Sequence, residues 1–266
     1  MREFPLRGRV AVVTGVSRRA GIAFAVAERL AGLGADVLAQ SWEPHDAEQP
    51  WGADPLGVIY VIEELRRRLP EGAGRIEHLA ADFAEAEAPA AVVDAAVAAF
   101  GAVDIVVAAH ARSSEQGLGE LTAAELDLTY AVNVRGSLLL AQRFDAVRDH
   151  SRPGGRIVLF TSGQHYGAMP GELPYAASKG ALQQVTASPA GALAAKGVTV
   201  NCVNPGPVDT GYADDALREH VARRMPMGRW GRPEDTADLI DWLVSDGSAW
   251  MTGQTLVSDG GWGLRI

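Results

Sequence analysis

The sequence holds very little cysteine, since Cys202 is the single one among 266 residues. One thiol cannot form a disulfide within the chain, and its place in the apolar run GVTVNCVN indicates a buried strand thiol rather than a nucleophile. Basic charge is also in deficit, because 24 Lys and Arg stand against 33 Asp and Glu, for a net charge of −9. That balance argues against a nucleic-acid partner, which would require a basic face.

Long hydrophobic stretches are missing as well. No apolar run approaches the roughly 20 residues that cross a bilayer, so we expect no membrane partner. The start, MREFPLRGRVAVVTG, lacks the apolar stretch of a signal peptide. No Pro/Ser-rich linker, shift in composition or solenoid repeat divides the chain. We therefore expect one domain over residues 1–266, in a reducing, cytoplasmic compartment.

Short β-branched runs alternate with Ala-rich amphipathic stretches along the chain. The predicted strands are 10–14, 35–40, 76–80, 103–108, 156–161, 198–203 and 255–257. The predicted helices are 23–33, 57–69, 88–100, 123–149, 175–196 and 234–243. Continuous apolar strands that alternate with helices indicate an α/β protein with a doubly wound, Rossmann-type parallel sheet and helices on both faces. Ligands bind such sheets outside the carboxyl ends of the strands.

Two segments depart from this alternation. The segment 41–55, SWEPHDAEQPWGADP, carries three prolines and predicts an ordered loop after the second strand, with its tryptophans packed within the loop. The segment 209–232 holds two methionines, a tryptophan and several arginines between a strand and the last helix. It is either a mobile cover over the active site or a plain connecting helix.

The first predicted strand runs directly into TGVSRRAGIAFAVAERL. Glycines between a strand and a helix let backbone N–H groups approach a pyrophosphate at the positive end of the helix. The spacing here is Gly15-x5-Gly21-x-Ala23, which is wider than the three-glycine fingerprint. Its position at the first strand–helix turn nevertheless indicates a dinucleotide site that includes Ser17 and Ile22.

The choice between the two nicotinamide dinucleotides depends on the end of the second strand. An acidic residue there would bind the ribose of NAD, but the strand ends at Gln40 and Ser41, which we place beside the adenosine. Arg18 and Arg19 stand in the glycine loop, and a guanidinium group suits a 2′-phosphate. The sequence therefore favours NADP(H) over NAD(H). NAD(H) stays open because two acidic residues follow closely in the segment 41–55.

Candidate catalytic residues lie in LPYAASKGAL, where Tyr175 and Lys179 are four residues apart and share one face of a helix. A phenol has an ordinary pKa of about 10, and a neighbouring cation favours its ionised form. The pair can therefore act as an acid/base near neutral pH. Taken alone, this spacing is typical of a half-exposed helix face. Ser162, thirteen residues earlier, and Asn133 further upstream favour the catalytic interpretation.

These residues belong to a longer series of motifs. In order they are Thr14-Gly15 with Gly21, Ala81-Asp82-Phe83, Asn133-Val134-Arg135-Gly136, Ser162, Tyr175-x3-Lys179, Asn204-Pro205-Gly206-Pro207-Val208-Asp209-Thr210, Gly231-Arg232-Pro233-Glu234-Asp235, Thr252-Gly253-Gln254 and Asp259-Gly260-Gly261. With this series the chain resembles the short-chain dehydrogenase/reductase family over nearly all of its length. Among the family's members it looks most like the bacterial 3-oxoacyl-thioester (acyl-carrier-protein) reductases.

The resemblance implies NADP(H)-dependent reduction of a carbonyl, such as a 3-oxoacyl thioester, to a secondary alcohol. It implies that Tyr175 is the acid/base on the substrate oxygen and that Ser162 hydrogen-bonds the carbonyl. Lys179 would lower the pKa of Tyr175 and bind the nicotinamide ribose, and Asn133 would hold a water in a proton relay. No metal is expected. An NAD(H)-dependent alcohol dehydrogenase and a non-catalytic cofactor-binding sensor stay open as alternatives.

The resemblance also implies contacts around the cofactor. Asp82 would meet the adenine, and Thr210 with the preceding Pro-Gly turn would position the nicotinamide carboxamide. The full set of further cofactor contacts expected on this basis is Phe83, Pro205, Gly206 and Val208. Members of the family form homodimers or homotetramers through two long helices, here 123–149 and 175–196, and through the C-terminal strand. The tail 261–266 would then be partly buried at a subunit contact.

The chain departs from the family pattern at three places. Ala108-Ala109-His110-Ala111 replaces Asn-Asn-Ala-Gly, and His110 is either a polar contact in the cleft or a structural histidine. The glycine loop is two residues longer than the family norm. Pro189 predicts a kink ten residues past Lys179, which leaves the catalytic face intact. The substrate stays undefined; the candidate pocket residues are Gln164, His165, Tyr166, Met169, Glu172, Tyr212, Met225, Met227 and Trp230.

Overall fold

The computed structural model describes residues 4–264, and within them it has seven parallel strands. The strands are β1 (Val10–Thr14), β2 (Asp36–Ser41), β3 (Ile76–Ala80), β4 (Ile105–Ala108), β5 (Gly155–Phe160), β6 (Val198–Asn204) and β7 (Thr255–Val257). Their order in the sheet is β3-β2-β1-β4-β5-β6-β7, and each neighbouring pair is parallel. The predicted doubly wound α/β fold is confirmed, and the strand order reverses between β1 and β4.

Helices connect the strands. They are α1 (Ile22–Gly32), α2 (Glu43–Glu48), α3 (Gly57–Arg68), α4 (Ala88–Phe100), α5 (Ala123–Tyr130), α6 (Gly136–Val147), α7 (Leu173–Val185), α8 (Ala187–Ala194), α9 (Asp215–Arg224) and α10 (Pro233–Val244). A π-helical turn (Ala131–Arg135) joins α5 to α6. None of the helices described is long and apolar enough to cross a membrane.

The hydrophobic core has two halves, one on each face of the sheet. Successive side chains of a strand point to opposite faces, so Val13 of β1 packs in one half while the preceding Val12 packs in the other. Helices α1, α3 and α10 cover the first half. Helices α4, α6, α7 and α8 cover the second. This arrangement explains why the strands are continuously apolar rather than alternating.

The predicted helix 123–149 is interrupted, which corrects the sequence expectation of one continuous helix. Its first part ends at Tyr130, and the π-helical turn that follows carries Asn133, which is fully buried. The hydroxyl of Ser137 donates to the carbonyl oxygen of Asn133 at 2.7 Å. Such wide turns occur often at functional sites because they reorient a side chain within a helix. Hydrophobic periodicity cannot reveal a turn of this kind.

The predicted helix 175–196 is interrupted near Pro189, as expected. Proline has no N–H and its ring clashes with the carbonyl four residues earlier, which here belongs to Val185, the last residue of α7. Thr186 separates α7 from α8, well past Lys179. The helix starts earlier than predicted, at Leu173, with Pro174 in its first turn.

The two irregular segments each contain a helix. The segment 41–55 is not wholly a loop, because Pro44 stands in the first turn of the short helix α2. Proline is favoured at that position, where its missing N–H would be unpaired in any case. The segment 209–232 contains helix α9, whose N-cap Asp214 accepts a hydrogen bond from the N–H of Leu217 at 2.7 Å. That this segment covers the active site stays a prediction.

Candidate active site

A cleft of about 1000 Å³ lies at the carboxyl ends of the strands, beside the point where the strand order reverses. Doubly wound sheets bind their ligands at this position. Most of the residues that the sequence proposed for the site line this cleft. They are Gly15, Ser17, Arg18, Gly21, Ile22, Gln40, Asp82, Phe83, Ser162, Tyr175, Pro205, Gly206, Val208 and Thr210.

Three residues expected to contact the cofactor do not line the cleft, namely Ser41, Arg19 and Lys179, the last of which is described below. The hydroxyl of Ser41 lies 2.8 Å from Nε2 of His78, on β3. Arg19 makes two hydrogen bonds of 2.9 Å to the carboxylate of Asp54, and its guanidinium lies 5.2 Å from the ring centroid of Tyr60. In these first two cases a polar partner within the protein holds the side chain away from the cleft, which sequence position alone did not indicate.

Tyr175 and Ser162 form the reactive end of the cleft. Ser162 lies two residues past the end of β5, and Tyr175 lies in the first turn of α7. Desolvation of the phenol raises the pKa of Tyr175; the hydrogen bond from Ser162 opposes that shift, and the carboxylate of Glu172 adds to it. Lys179 is not among the groups that shift this pKa here, and its expected lowering of the Tyr175 pKa stays a prediction. A phenol that keeps its proton at neutral pH can donate it to an oxygen atom.

Lys179 lies behind Tyr175 and does not itself line the cleft. Its side chain is 2% exposed, its Nζ donates to the carbonyl oxygen of Phe160 at 3.2 Å, and it lies 5.6 Å from the centroid of the Tyr175 ring. Burial lowers the pKa of Lys179 to about 8. The ammonium group therefore keeps most of its charge at pH 7, next to the phenol, on the helix face that the four-residue spacing predicted.

Asn133 also lies behind the cleft wall, and hydrogen bonds hold its amide. Its Oδ1 accepts from the N–H of Arg112 at 2.6 Å, while Nδ2 donates to the Arg112 carbonyl at 3.0 Å and to Oγ of Ser178 at 2.9 Å. The Ser178 hydroxyl in turn donates to the carbonyl of Tyr175 at 2.8 Å. Asn133 therefore ties the loop after β4 to the helix that carries the phenol. Its water-holding role stays a prediction.

The glycine loop fits the diphosphate of a dinucleotide. Helix α1 starts at the cleft with Gly21 as its N-cap, and no side chain caps it, so the first N–H groups remain available to an anion. Gly15 has a φ of +87°, and a Cβ there would lie 2.9 Å from Cα of His110, so only glycine fits. Oε1 of Gln40 accepts from the N–H of Gly15 at 3.0 Å and secures the turn.

His110 lines the cleft, but both of its ring nitrogens are bonded within the protein, which favours the structural alternative. Its Nδ1 lies 2.6 Å from the hydroxyl of Thr14, and its Nε2 lies 3.1 Å from the carbonyl oxygen of Val132 in the π-helical turn. Burial, reinforced by the charge of Lys179, lowers the pKa of His110 to about 3. The ring is neutral at physiological pH, so Nε2–H donates to Val132 and Nδ1 accepts from Thr14.

The segment 41–55 forms a wall of the cleft, so the expectation that its tryptophans only pack the loop is wrong. Trp42 and Trp51 both line the cleft, and the Trp51 ring lies 6.4 Å edge-on from that of Tyr212. Arg18 connects the same parts: Nε lies 3.1 Å from the carboxylate of Asp46, and a terminal nitrogen donates to the carbonyl of Thr210 at 3.0 Å. Loops after β1, β2 and β6 therefore meet over the cleft.

The substrate end was predicted in part. Met169, Glu172 and Tyr212 line the cleft, as proposed. Six other candidates do not line it, namely Gln164, His165, Tyr166, Met225, Met227 and Trp230. Glu115 and Leu217, for which no motif or spacing predicted a role, do line it. Both stand in segments that reach the cleft only after the sheet has formed.

A dinucleotide cleft that ends in a phenol–hydroxyl pair, with a buried ammonium group behind the phenol, defines the class of protein. Two neighbouring hydroxyl groups suit an oxygen that gains negative charge, and the cleft beside them suits a nicotinamide cofactor. The chain is an oxidoreductase that acts on C=O or CH–OH groups with NAD(P).

Comparisons with known proteins agree with this class of enzyme. The family described as Enoyl-(Acyl carrier protein) reductase matches residues 15–263. The chain belongs to the short-chain dehydrogenase/reductase family. It is 35% identical over 254 residues to the uncharacterized oxidoreductase YjdA of Bacillus subtilis, covering 95% of this chain and 96% of that one.

Two further relatives carry more descriptive names. The chain is 35% identical over 266 residues to the chloroplastic NADPH-dependent aldehyde reductase-like protein of Arabidopsis thaliana, covering 97% of this chain and 95% of that one. Among solved structures, it superposes with a TM-score of 0.83 and 31% identity on the promiscuous reductase LugOII, which catalyses keto-reduction at C1 during lugdunomycin biosynthesis. That match covers 98% of this chain and 99% of the other.

Proposed function

We propose that this protein reduces a ketone to a secondary alcohol with NADPH. The observation that carries the proposal is the pairing of Ser162 with Tyr175 at the end of a cleft that fits a dinucleotide. When bound, the nicotinamide would supply the hydride for the carbonyl carbon. Gly15, Gly21 and Ile22 would hold the diphosphate, and Asp82 would lie beside the adenine.

The residues of the chain supply orientation and the proton. The hydroxyls of Ser162 and Tyr175 would both donate to the carbonyl oxygen, whose negative charge grows as the carbon is reduced. Tyr175 would then transfer its phenolic proton to that oxygen, a direction of transfer that its raised pKa supports. The Lys179 ammonium group, bonded to the Phe160 carbonyl, would stabilise the phenolate that remains.

The preference for NADPH rests on the end of β2 and on Arg18. The strand ends without a carboxylate, and Arg18 lines the cleft. Arg18 is paired with Asp46, so a 2′-phosphate would have to share or displace that carboxylate. The name of the Arabidopsis relative also supports NADPH. The alternative is an NAD(H)-dependent alcohol dehydrogenase, and a test must distinguish it from an NADPH-dependent ketone reductase.

Loss of NADPH absorbance provides that test. Purified protein is mixed with a cyclic ketone or an acetoacetyl thioester, each with NADPH and with NADH. We expect rapid oxidation of NADPH with the ketone. Turnover with NADH alone would overturn the cofactor assignment, and binding of NADPH without turnover of any carbonyl would favour a non-catalytic sensor.

Reduction of a 3-oxoacyl thioester is the second candidate. The description of the matching family, Enoyl-(Acyl carrier protein) reductase, supports an acyl group on this carrier but names reduction of a C=C bond. An acetoacetyl thioester consumed faster than the cyclic ketone would establish it. If the cyclic ketone is consumed faster, the protein is still a carbonyl reductase, but the 3-oxoacyl thioester is not its substrate.

The role of Tyr175 predicts a separation of turnover from binding. Tyr175→Phe removes the proton donor but keeps the ring, so turnover should fall at least about 100-fold while the Kd for NADPH stays nearly unchanged. Fluorescence titration of NADPH and steady-state assays measure the two quantities. The matched control is Tyr130→Phe, because Tyr130 is an exposed tyrosine that does not line the cleft. Retained turnover in Tyr175→Phe would refute the assignment.

We also infer a homodimer or homotetramer of one-domain subunits in the cytoplasm. Strand β7 is the last strand of the sheet, and Trp250, just before it, is fully exposed while Val257 within it is 45% exposed. The single buried thiol of Cys202 suits a reducing compartment. Light scattering of the wild type and Trp250→Ser tests the assembly, and one cooperative unfolding transition tests the single domain. Arg265 and Ile266 of the proposed tail contact lie outside the residues described.

A further inference from the structure

Two carboxylates without partners stand at the substrate end of the cleft. Glu115 and Glu172 both line it, and neither side chain has a hydrogen bond or an ion pair with any other residue within 4–264. Glu172 is half-buried, and burial together with the nearby Glu115 carboxylate raises its pKa. Glu115 is exposed, and its negative charge near the half-buried Glu172 carboxylate is unfavourable. A ligand in the cleft can supply the group that compensates them.

The backbone holds the two carboxylates at one place. Glu172 is the N-cap residue of α7, yet its side chain makes no capping hydrogen bond. The next N–H, of Leu173, donates to the carbonyl of Gln116 at 3.0 Å. This bond fixes the loop that carries Glu115 against the start of α7. Tyr175 lies in the first turn of the same helix, so Glu172 lies near the reactive phenol, whose pKa it raises.

The cationic side chains near this end of the cleft are bonded to groups other than Glu115 and Glu172. Arg112 makes two hydrogen bonds of 2.9 Å to Glu125. Arg218 binds the carboxylate of Asp209 at 3.0 Å. Lys179 lies behind the phenol, bonded to a backbone carbonyl. The wall that faces a substrate therefore presents an uncompensated negative charge.

We propose that Glu115 and Glu172 select carbonyl substrates that carry a protonated amine and disfavour anionic ones. The proposal rests on the proposed function, because the substrate carbonyl must lie against the Ser162 and Tyr175 hydroxyls while its ammonium group reaches the carboxylates. An ammonium group there makes charge-assisted hydrogen bonds. A neutral hydroxyl makes weaker ones, and a carboxylate is repelled.

Matched ketones test the proposal. Cyclohexanones that carry methyl, hydroxymethyl, aminomethyl or carboxylate at C4 differ little in shape but differ in charge. We expect kcat/KM with NADPH to be highest for the aminomethyl ketone, about tenfold above the methyl ketone for each carboxylate engaged, equivalent to about 1.4 kcal/mol. The carboxylate ketone should be the poorest. Glu172→Gln and Glu115→Gln should each reduce the aminomethyl-to-methyl ratio by about tenfold.

The ratio within each variant is the decisive quantity, because a general loss of turnover cancels in it. Glu120→Gln, an exposed glutamate of the same loop that does not line the cleft, should leave the ratio unchanged. Equal kcat/KM for all four ketones, or an aminomethyl preference that survives in both Gln variants, overturns the proposal. A hydroxymethyl ketone as good as the aminomethyl one overturns it in favour of neutral hydrogen-bond donors.

Failure of the proposed function has a different signature, since none of the four ketones would then oxidise NADPH. Thermal unfolding of the NADPH-bound protein with each ketone gives an independent readout of binding. A larger rise in Tm with the aminomethyl ketone than with the carboxylate ketone, reduced in Glu172→Gln, supports charge selection even without turnover. Equal rises overturn it.

Discussion

The hydroxyl of Thr14 lies 2.6 Å from Nδ1 of His110, joining the ends of β1 and β4 at the point where the strand order reverses. The other ring nitrogen bonds the carbonyl of Val132, so one buried imidazole connects two strands and the π-helical turn. The glycine loop and Asn133 adjoin these elements. The shape of the cofactor end of the cleft therefore depends on a neutral histidine.

This dependence predicts sensitivity to acid. His110 has a folded-state pKa of about 3, below its usual value near 6.5. Between these two pH values the imidazole is protonated in the unfolded chain and neutral in the folded one. Stability is complete above about pH 6.5 and falls as pH decreases, by about 3 kcal/mol at pH 4.5. Urea unfolding at pH 7 and pH 4.5 should show this loss in the wild type and a smaller one in His110→Asn.

The matched control for this prediction is His220→Asn, which changes an exposed histidine. It should lose as much stability on acidification as the wild type. If His110→Asn follows the same pH dependence as the wild type, the buried ring is not the source of the acid sensitivity.

The buried amine of Lys179 changes stability in the same direction as His110, but in an alkaline range of pH. Its folded-state pKa is about 8, below the ordinary 10.5, so its desolvation costs stability at pH 7, and that cost is relieved as pH rises from 8 towards 10.5. Relative to Lys179→Met, the wild type should gain up to about 3 kcal/mol over this range. Urea unfolding of both proteins at pH 7 and pH 10 measures the change. Lys196→Met, at an exposed lysine, should show no such drift relative to wild type.

The Arg18–Asp46 pair predicts an adjustable preference between the two dinucleotides. Asp46 lines the cleft and lies 3.1 Å from the Arg18 guanidinium, so its charge opposes a 2′-phosphate bound there. Asp46→Asn should lower KM for NADPH several-fold, about 1 kcal/mol of binding, and leave KM for NADH nearly unchanged. Steady-state kinetics with both cofactors measures this.

Glu43→Gln is the control for that prediction, since it removes the same charge from the same short helix without lining the cleft. It should change neither KM. An equal effect of Asp46→Asn on NADPH and NADH would place the phosphate away from Arg18.

At the opposite end of the sheet, Asp104 is fully buried and holds the start of β4. It accepts hydrogen bonds of 2.9 and 2.7 Å from Arg152 and one of 3.1 Å from the N–H of Val10. Asp104→Asn leaves guanidinium charge without its counter-ion and should cost about 3–5 kcal/mol. The urea midpoint measures it. Asp94→Asn, in an exposed pair with Arg143, should cost less than about 1 kcal/mol, and a similar loss in both would contradict the argument.

Local pattern was sufficient for the fold class and for much of the cleft. Apolar strands alternating with amphipathic helices can bury their faces only in a covered parallel sheet. The glycine loop, Ser162 and Tyr175 each follow a strand or begin a helix at its carboxyl edge, so their convergence follows from topology. The interruption at Pro189 was also predictable, because it depends on one missing N–H.

Other features depended on neighbours that are distant in sequence. The partners of Arg19, Ser41 and Asn133 became known only once folding had brought Asp54, His78 and Ser178 beside them. The π-helical turn likewise breaks a helix whose hydrophobic pattern is continuous.

The sequence was thus enough to state which chemical groups the protein has and at which edge of the sheet they gather, since both follow from local periodicity. Only the tertiary structure shows which polar groups have a hydrogen-bond or ion-pair partner within the protein and which have none. Glu115 and Glu172 show the difference. Nothing in their separate segments brings them together, and the hydrogen bond between the Glu115 loop and the start of α7 leaves both in the cleft without a partner. Burial and unmatched charge are properties of the assembled structure, because they depend on what surrounds a group in space.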